Sequence, residues 1–248
     1  MFKLQDIEVI FNKNTSNEKT AFKSLNLNVA EHEFITIIGN NGAGKSSLQN
    51  LIAGNIFATK GNILINNVDI TKTTPHERAK YIARVFQDPK SGTCDKMTIE
   101  ENLSLALARG RMRNFNFAIN QKNKAFLKEQ VATLEMGLED KLNRVMGELS
   151  GGQRQALSLL MTSFMPTKLL LLDEHTSALD PKMAETVMEL TNKLYHQHKL
   201  TILMITHNIK HAFIYGTRTI MLQSGEIVKD LTGDERRNTD IKALIDHY

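Results

Sequence analysis

At 248 residues the chain has room for one large domain or two small ones, and enough length to bury a core without disulfide staples. A hydrophobic share of 41% with 23% charged residues is ordinary globular composition, and 31 Lys and Arg against 27 Asp and Glu leave only +4, spread along the chain, so neither a disordered segment nor a dedicated nucleic-acid binder is expected. The single cysteine, Cys94, excludes a disulfide framework and fits a reducing compartment, and no stretch reaches the roughly 20 apolar residues of a membrane span.

In chain order, Met1 to Asp6 carries no apolar signal core, so the chain is expected to stay in the cytoplasm. Phe2 to Phe11 reads as a strand, Asn12 to Thr20 as a polar break, and Leu25 to Val29 as a strand with period two. Phe34 to Ile38 is apolar and β-branched, the pattern of a buried strand. A glycine loop leads into a helix, Lys45 to Ala53, whose Leu48, Leu51 and Ile52 share one face and which stops at Gly54. From about Lys90 to Ser163 the patterns are helical. Thr98 and Glu101 form a capping box before Asn102 to Ala108, and Asn120 to Met136 and Gln153 to Met165 follow. Strands return at Lys168 to Leu172 and Leu200 to Ile205, with a helix between them from Met183 to Gln197, and again at Thr219 to Leu222 and Glu226 to Lys229. This is an α/β chain with a parallel sheet interrupted by a helical insertion. The run from Arg109 to Arg113 reads as a solvated turn, with a contact to a partner or acidic lipid as the other reading. His196 and His198 are two apart and point to different sides of a helix, which is not a zinc-chelating spacing.

Gly39-Asn40-Asn41-Gly42-Ala43-Gly44-Lys45-Ser46 matches the phosphate-binding loop G-x-x-x-x-G-K-[ST], and Ser47 follows it. Glycines let the backbone curl so that N–H groups converge on anionic oxygens, and the helix adds the positive end of its dipole. Lys45 brings a full charge to the terminal phosphates, and the Ser46 hydroxyl is an oxygen donor for Mg²⁺. Leu169 to Leu172 ends in Asp173 and Glu174, at the carboxyl end of a strand where α/β sheets bind ligands. Asp173 is placed to hold Mg²⁺, directly or through water, and Glu174 to orient or deprotonate an attacking water. An acidic pair alone would as readily open a helix; together with the loop it points to a nucleotide triphosphatase.

Leu149-Ser150-Gly151-Gly152-Gln153 upstream of that strand resembles the signature of the ATP-binding-cassette (ABC) ATPases. Ser150 is also a plain helix N-cap, and the two roles are compatible. The resemblance runs from about Leu4 to Gly225 and implies further roles. Val85-Phe86-Gln87-Asp88 looks like the glutamine loop, which makes Gln87 a Mg²⁺ or water ligand; Ser177 to Asp180 looks like the loop that crosses between subunits; His207 after Thr206 looks like the switch histidine that contacts the γ-phosphate. Phe11 either stacks on adenine or belongs to the core. The chain departs from the family at His175, where proline or alanine is common, so the adjoining backbone is expected to differ without loss of activity.

The fold implied is a P-loop NTPase (RecA-like) core with a mostly parallel sheet, an N-terminal antiparallel β region and an inserted α-helical subdomain. Residues 1–89 and 165–230 would form the core, 90–164 the insertion with the signature, and 231–248 a short tail, within one ABC ATPase domain spanning 1–248. The resemblance further implies a head-to-tail homodimer with two sandwiched ATP molecules, and docking on the cytoplasmic helices of a separate permease. Location at the cytoplasmic face of the membrane follows, with an extracytoplasmic substrate-binding protein acting through the permease. Gly92 to Leu103 followed by Arg109-Gly110 is similar to importer cassettes, some of which handle aromatic amino acids. The alternative is a non-transport ABC ATPase in a soluble assembly complex.

Overall fold

The computed structural model describes residues 2–109 and 121–239, residues 121 and 122 by backbone alone. Strands β1 (Phe2–Phe11), β2 (Lys19–Val29), β4 (Lys60–Ile65) and β5 (Val68–Asp69) form an antiparallel sheet in the order β2-β1-β4-β5. A second sheet contains β3 (Phe34–Ile38), β6 (Ile82–Val85), β7 (Leu169–Asp173), β8 (Ile202–Ile205), β9 (Arg218–Gln223) and β10 (Glu226–Thr232) in the order β10-β9-β3-β8-β7-β6. It is parallel except where β10 returns against β9. Both sheets match the fold expected, a P-loop NTPase core beside an antiparallel β region.

β3 lies between β8 and β9, in register Phe34↔Ile202 and Ile35↔Arg218. A strand flanked by parallel neighbours and covered on both faces needs apolar side chains throughout, and all five of its residues are buried. The polar one, Thr36, places its hydroxyl 3.0 Å from that of Thr219 and donates to the Arg218 carbonyl at 3.2 Å.

β7 shows how the sheet divides the core. Leu169 and Leu171 pack with Leu48, Leu51 and Ile52 of α1 (Lys45–Ala53) and with Phe2, Leu4 and Ile7 of β1. Leu170 and Leu172 face the other way, toward Leu103 of α3 (Ile99–Leu107), Leu157 and Leu160 of α5 (Gly151–Ser163) and Met188 of α6 (Pro181–His198). Side chains alternate along a strand, so Asp173 falls on the α1 side with Leu171. The far end of α1 is held by Arg78 of α2 (Pro75–Arg78), 1% exposed, whose guanidinium donates to the carbonyls of Leu51 and Ile52 at 2.6 and 2.8 Å and to that of Ile70 at 2.8 Å.

Several element bounds differ from the sequence pattern, and three of them show why. β2 begins at Lys19, because pairing with β1 (Phe11↔Lys19) recruits a polar stretch that propensity assigns to a break. The helix expected over 120–136 is α4 (Gln121–Ala132); the chain leaves it through positive-φ Glu135 and Gly137, yet Leu134 and Leu138 stay buried and prolong the helical spacing. The helix expected from Gln153 to Met165 is α5, Gly151–Ser163, starting where Ser150 caps it. Arg109, read as part of a solvated turn, is half-buried and donates to the Thr167 hydroxyl at 2.7 Å; the rest of that run, Gly110 to Arg113, and the tail from 240 onward lie outside the described residues.

His175 explains how the chain accommodates its departure from the family pattern. The ring is 2% exposed, with Nε2 3.1 Å from the Thr191 hydroxyl of α6, and burial, helped by nearby His211, lowers its pKa to about 3. The unfolded chain takes up a proton here below the ordinary value of 6.5 and the folded chain does not, so stability is lost as pH falls from that value toward 3. His175→Ala should be the less stable protein at pH 7, where a cavity is left. Its deficit against the wild type should shrink by about 2 kcal/mol on going to pH 5, read from urea unfolding at both pH values with chelator and without nucleotide.

Candidate nucleotide site

The phosphate-binding loop leaves β3 at Gly39 and enters α1 at Lys45. A Cβ on Gly39 would lie 2.2 Å from the Leu222 carbonyl of β9, so only glycine lets the loop start this close to the neighbouring strand. Gly44, at φ +104, makes the left-handed turn into the helix. Lys45 is 6% exposed and curls back over the loop, donating to the carbonyls of Gly39 at 2.5 Å and Asn40 at 3.1 Å. Burial pushes its pKa down, with the Glu174 carboxylate opposing. An ammonium held only by neutral carbonyls in a half-desolvated loop is prepared for an anion.

A cleft of about 430 Å³ opens over the loop. Asn40, Asn41, Gly42, Gly44, Lys45, Ser46 and Ser47 line it, together with Glu174 and Phe11. Phe11 packs on the edge of the core around β1 and also lines the cleft. Lys19, Thr20 and Ala21 of β2 and Ser224-Gly225 of the β9–β10 turn complete the wall, which the sequence pattern does not reveal because only the sheet pairing brings them to the loop. Gly39 and Ala43 do not line the cleft; the Ala43 carbonyl accepts from Gly225 N–H at 2.9 Å.

At the carboxyl end of β7 the two acids separate. Asp173 turns to the α1 side and accepts from Arg84 of β6 at 2.6 Å. Glu174 sits at φ +46, which costs a non-glycine residue about 1–2 kcal/mol and turns the chain out of the strand. Its Oε1 lies 2.8 Å from His207 Nε2, at the end of β8, so the geometry joins these two residues directly. Gln87 follows β6 and donates to the Ser177 hydroxyl at 3.2 Å; that hydroxyl donates to the Glu174 carbonyl at 2.8 Å. Ser177 is a partner that spacing alone did not reveal.

The signature lies apart from this cleft, as none of Ser150, Gly151, Gly152, Gln153 or Asp180 lines it. Ser150 and Gln153 form a reciprocal capping box, with both bonds 3.3 Å, at the start of α5. Gly151 lies beside Leu179, and Asp180 caps α6 through the Met183 N–H at 3.0 Å. α5 is fastened to the segment that follows β6: Gln155 donates to the Phe86 carbonyl at 3.1 Å, Arg154 to the Thr93 hydroxyl at 2.7 Å, and Arg154 also pairs with Asp95.

A glycine loop between a buried parallel strand and a helix N-terminus, faced by carboxylates one strand removed, defines a P-loop nucleotide triphosphatase. Comparison with known proteins narrows the class. The family model for the ABC transporter matches residues 22–177. The chain is 40% identical over 248 residues to the tyrosine transport ATP-binding protein of Clostridioides difficile (strain R20291), covering 100% of this chain and 98% of that one. It is 35% identical over 209 residues to the thiamine import ATP-binding protein ThiQ of Escherichia coli (strain UTI89 / UPEC), covering 84% and 85%. Among solved structures, a dimeric bacterial ABC transporter cassette superposes with TM-score 0.78 at 29% identity over 94% of this chain and 98% of that one. A dimeric cassette in a post-hydrolysis state with ADP and Pi gives 0.77 at 28% identity, with the same coverage. The chain belongs to the ABC transporter family. It is an ABC ATPase that binds and hydrolyses ATP.

Proposed function

We propose that this chain is the ATP-hydrolysing subunit of an importer for a small solute of the amino-acid class, working through a separate permease. The observation that carries this reading is end-to-end similarity to an ATP-binding protein of tyrosine transport. The similarity to a thiamine import subunit supports import. Among the described residues no helix is long and apolar enough to cross a membrane, so the path for the solute belongs to other chains. The chain then works at the cytoplasmic face of the membrane, held there by the permease, and an extracytoplasmic substrate-binding protein delivers the solute.

In this reading Phe11 stacks on the base, the loop from Gly39 to Ser47 wraps the phosphates, and Lys45 leaves its two carbonyls for the β- and γ-phosphates. The Ser46 hydroxyl, the Asp173 carboxylate and the Gln87 amide oxygen would supply an all-oxygen donor set of the kind that suits Mg²⁺, with Ser46 on α1 and Asp173 at the end of β7 on the same side of the sheet. Bound there, the ion would neutralise charge on the transferring phosphoryl group. Glu174 accepts the proton of the attacking water or orients it, and His207, 2.8 Å away, keeps that carboxylate in place and reaches the γ-phosphate. The signature residues Ser150, Gly151, Gly152 and Gln153, with Asp180, serve the nucleotide held by a second copy, packed head to tail. The dimeric solved cassettes support that arrangement. Closure then moves Gln87 through Ser177, and the bonds from Arg154 and Gln155 carry the movement into α5.

The test is to express the tagged chain with its neighbouring genes and purify it from solubilised membranes. A multi-span membrane protein should co-purify, and after reconstitution in vesicles with the binding protein, ATPase activity should rise with tyrosine. Recovery with soluble factors alone overturns the transport reading; stimulation by thiamine and not tyrosine overturns the amino-acid class.

A further inference from the structure

We infer that Arg84 and Asn50 form a latch that sets Asp173 for the divalent cation, a positioning role no motif assigns to either. The inference rests on the reading of Asp173 as a cation ligand. Arg84 is a charged residue in a strand whose other three members are apolar and buried. Side-chain alternation turns it to the α1 face of the sheet, and register places it opposite Leu171, two residues before Asp173. There its guanidinium makes two contacts in different directions. One arm donates to Asp173 Oδ2 at 2.6 Å; the other donates to Asn50 Oδ1 at 2.9 Å. The plane lies over the Phe86 ring, with the guanidinium carbon 4.8 Å from the centroid. The side chains of Arg84 and Asp173 are 13% and 16% exposed, so the pair is shielded from screening. Arg84 Nε is buried with no hydrogen-bond partner, so the two terminal nitrogens carry the hydrogen bonds of the guanidinium.

Asn50 makes this more than an ion pair. It lies one turn beyond Ser46 on α1, so Arg84 joins the helix that carries one proposed cation ligand to the strand that carries the other. The bond occupies Oδ2 and leaves Oδ1 as the carboxylate oxygen available to a cation. Partners of this kind, bonded to a ligand and not to the ion, fix the ligand's orientation.

The experiment measures binding of labelled ADP, which is not turned over, across a Mg²⁺ titration and separately in EDTA. Arg84→Met should raise the Mg²⁺ concentration for half-maximal enhancement about tenfold, the lower end for loss of such a partner, with binding in EDTA changed by less than about twofold. Asn50→Ala keeps the ion pair and should give a smaller shift in the same direction. This second variant decides the matter if Arg84→Met does not fold. Asp173→Asn is the control for the underlying reading. If it shifts the Mg²⁺ dependence while Arg84→Met and Asn50→Ala do not, the latch is wrong and Asp173 remains a ligand. If Asp173→Asn shifts nothing, the ligand reading fails and the latch falls with it. A lower Mg²⁺ requirement in Arg84→Met would also overturn the proposal, because the guanidinium would then be competing with the cation.

Discussion

Glu174→Gln should retain ATP binding, lose turnover and accumulate an ATP-bound dimer. The substitution keeps the shape of the side chain and removes its capacity to accept a proton. The other residues lining the cleft proposed to hold the nucleotide, from Phe11 to Ser47, are untouched. The contact with His207 can persist, since an amide oxygen also accepts from Nε2. What disappears is the group proposed as general base, whose contribution would be on the order of 10²–10⁴-fold in rate. The measurement has two parts: phosphate release under saturating MgATP, and size-exclusion chromatography with and without ATP. Wild-type phosphate release in this variant would take Glu174 out of the mechanism. Loss of release without dimer accumulation would mean that hydrolysis does not drive dissociation.

The ease with which Glu174 could be found differs from that of its surroundings, and the reason is physical. A phosphate loop and a strand ending in acids are local features, each set by a few consecutive residues whose conformation is fixed by glycine chemistry or by a run of buried leucines. The contact between Glu174 and His207 spans 33 positions of chain and depends on β7 and β8 being parallel neighbours in register Asp173↔Ile205. Arg84 is more distant still from any pattern. In sequence it is one cation between alanine and valine, and its meaning comes from facing Asp173 across β6 and β7 and Asn50 across the sheet–helix layer. Boundaries failed for a related reason. Lys19 to Thr20 joins β2 because β1 supplies partners, and Leu134 and Leu138 keep a helical spacing outside any helix because the core recruits them from a loop. Local chemistry marks the groups that act; the groups that aim them are marked only by the packing.

Mixing two inactive variants, Lys45→Ala and Ser150→Arg, should restore ATP-induced pairing and part of the turnover. The argument starts from the separation of the two elements in one protomer: Lys45 lines the cleft, and Ser150 caps a helix that does not. That helix start has the properties of a second phosphate surface. α5 is 13 residues long, so its dipole is well developed, and Ser150 is exposed. Two glycines follow the cap, so the first turn itself adds no Cβ at these positions; Gly151 lies beside Leu179, and Gly152 is packed against the Met183 side chain. If that surface completes the site of another copy, each homodimer carries its defect twice. Lys45→Ala lacks the ammonium in both sites, and Ser150→Arg blocks both helix starts with a large side chain. In the head-to-tail heterodimer the defects collect in one site and leave the other whole. One whole site can still clamp ATP between two protomers, so pairing is the primary readout, measured by pull-down of differently tagged subunits with and without ATP. Turnover is the second, up to half that of the wild type if the sites fire independently. Heterodimers held together by tags that neither close on ATP nor hydrolyse it would show that the lysine-bearing loop and the serine-capped helix act on the same nucleotide within one chain, or that the helix takes no part in binding it.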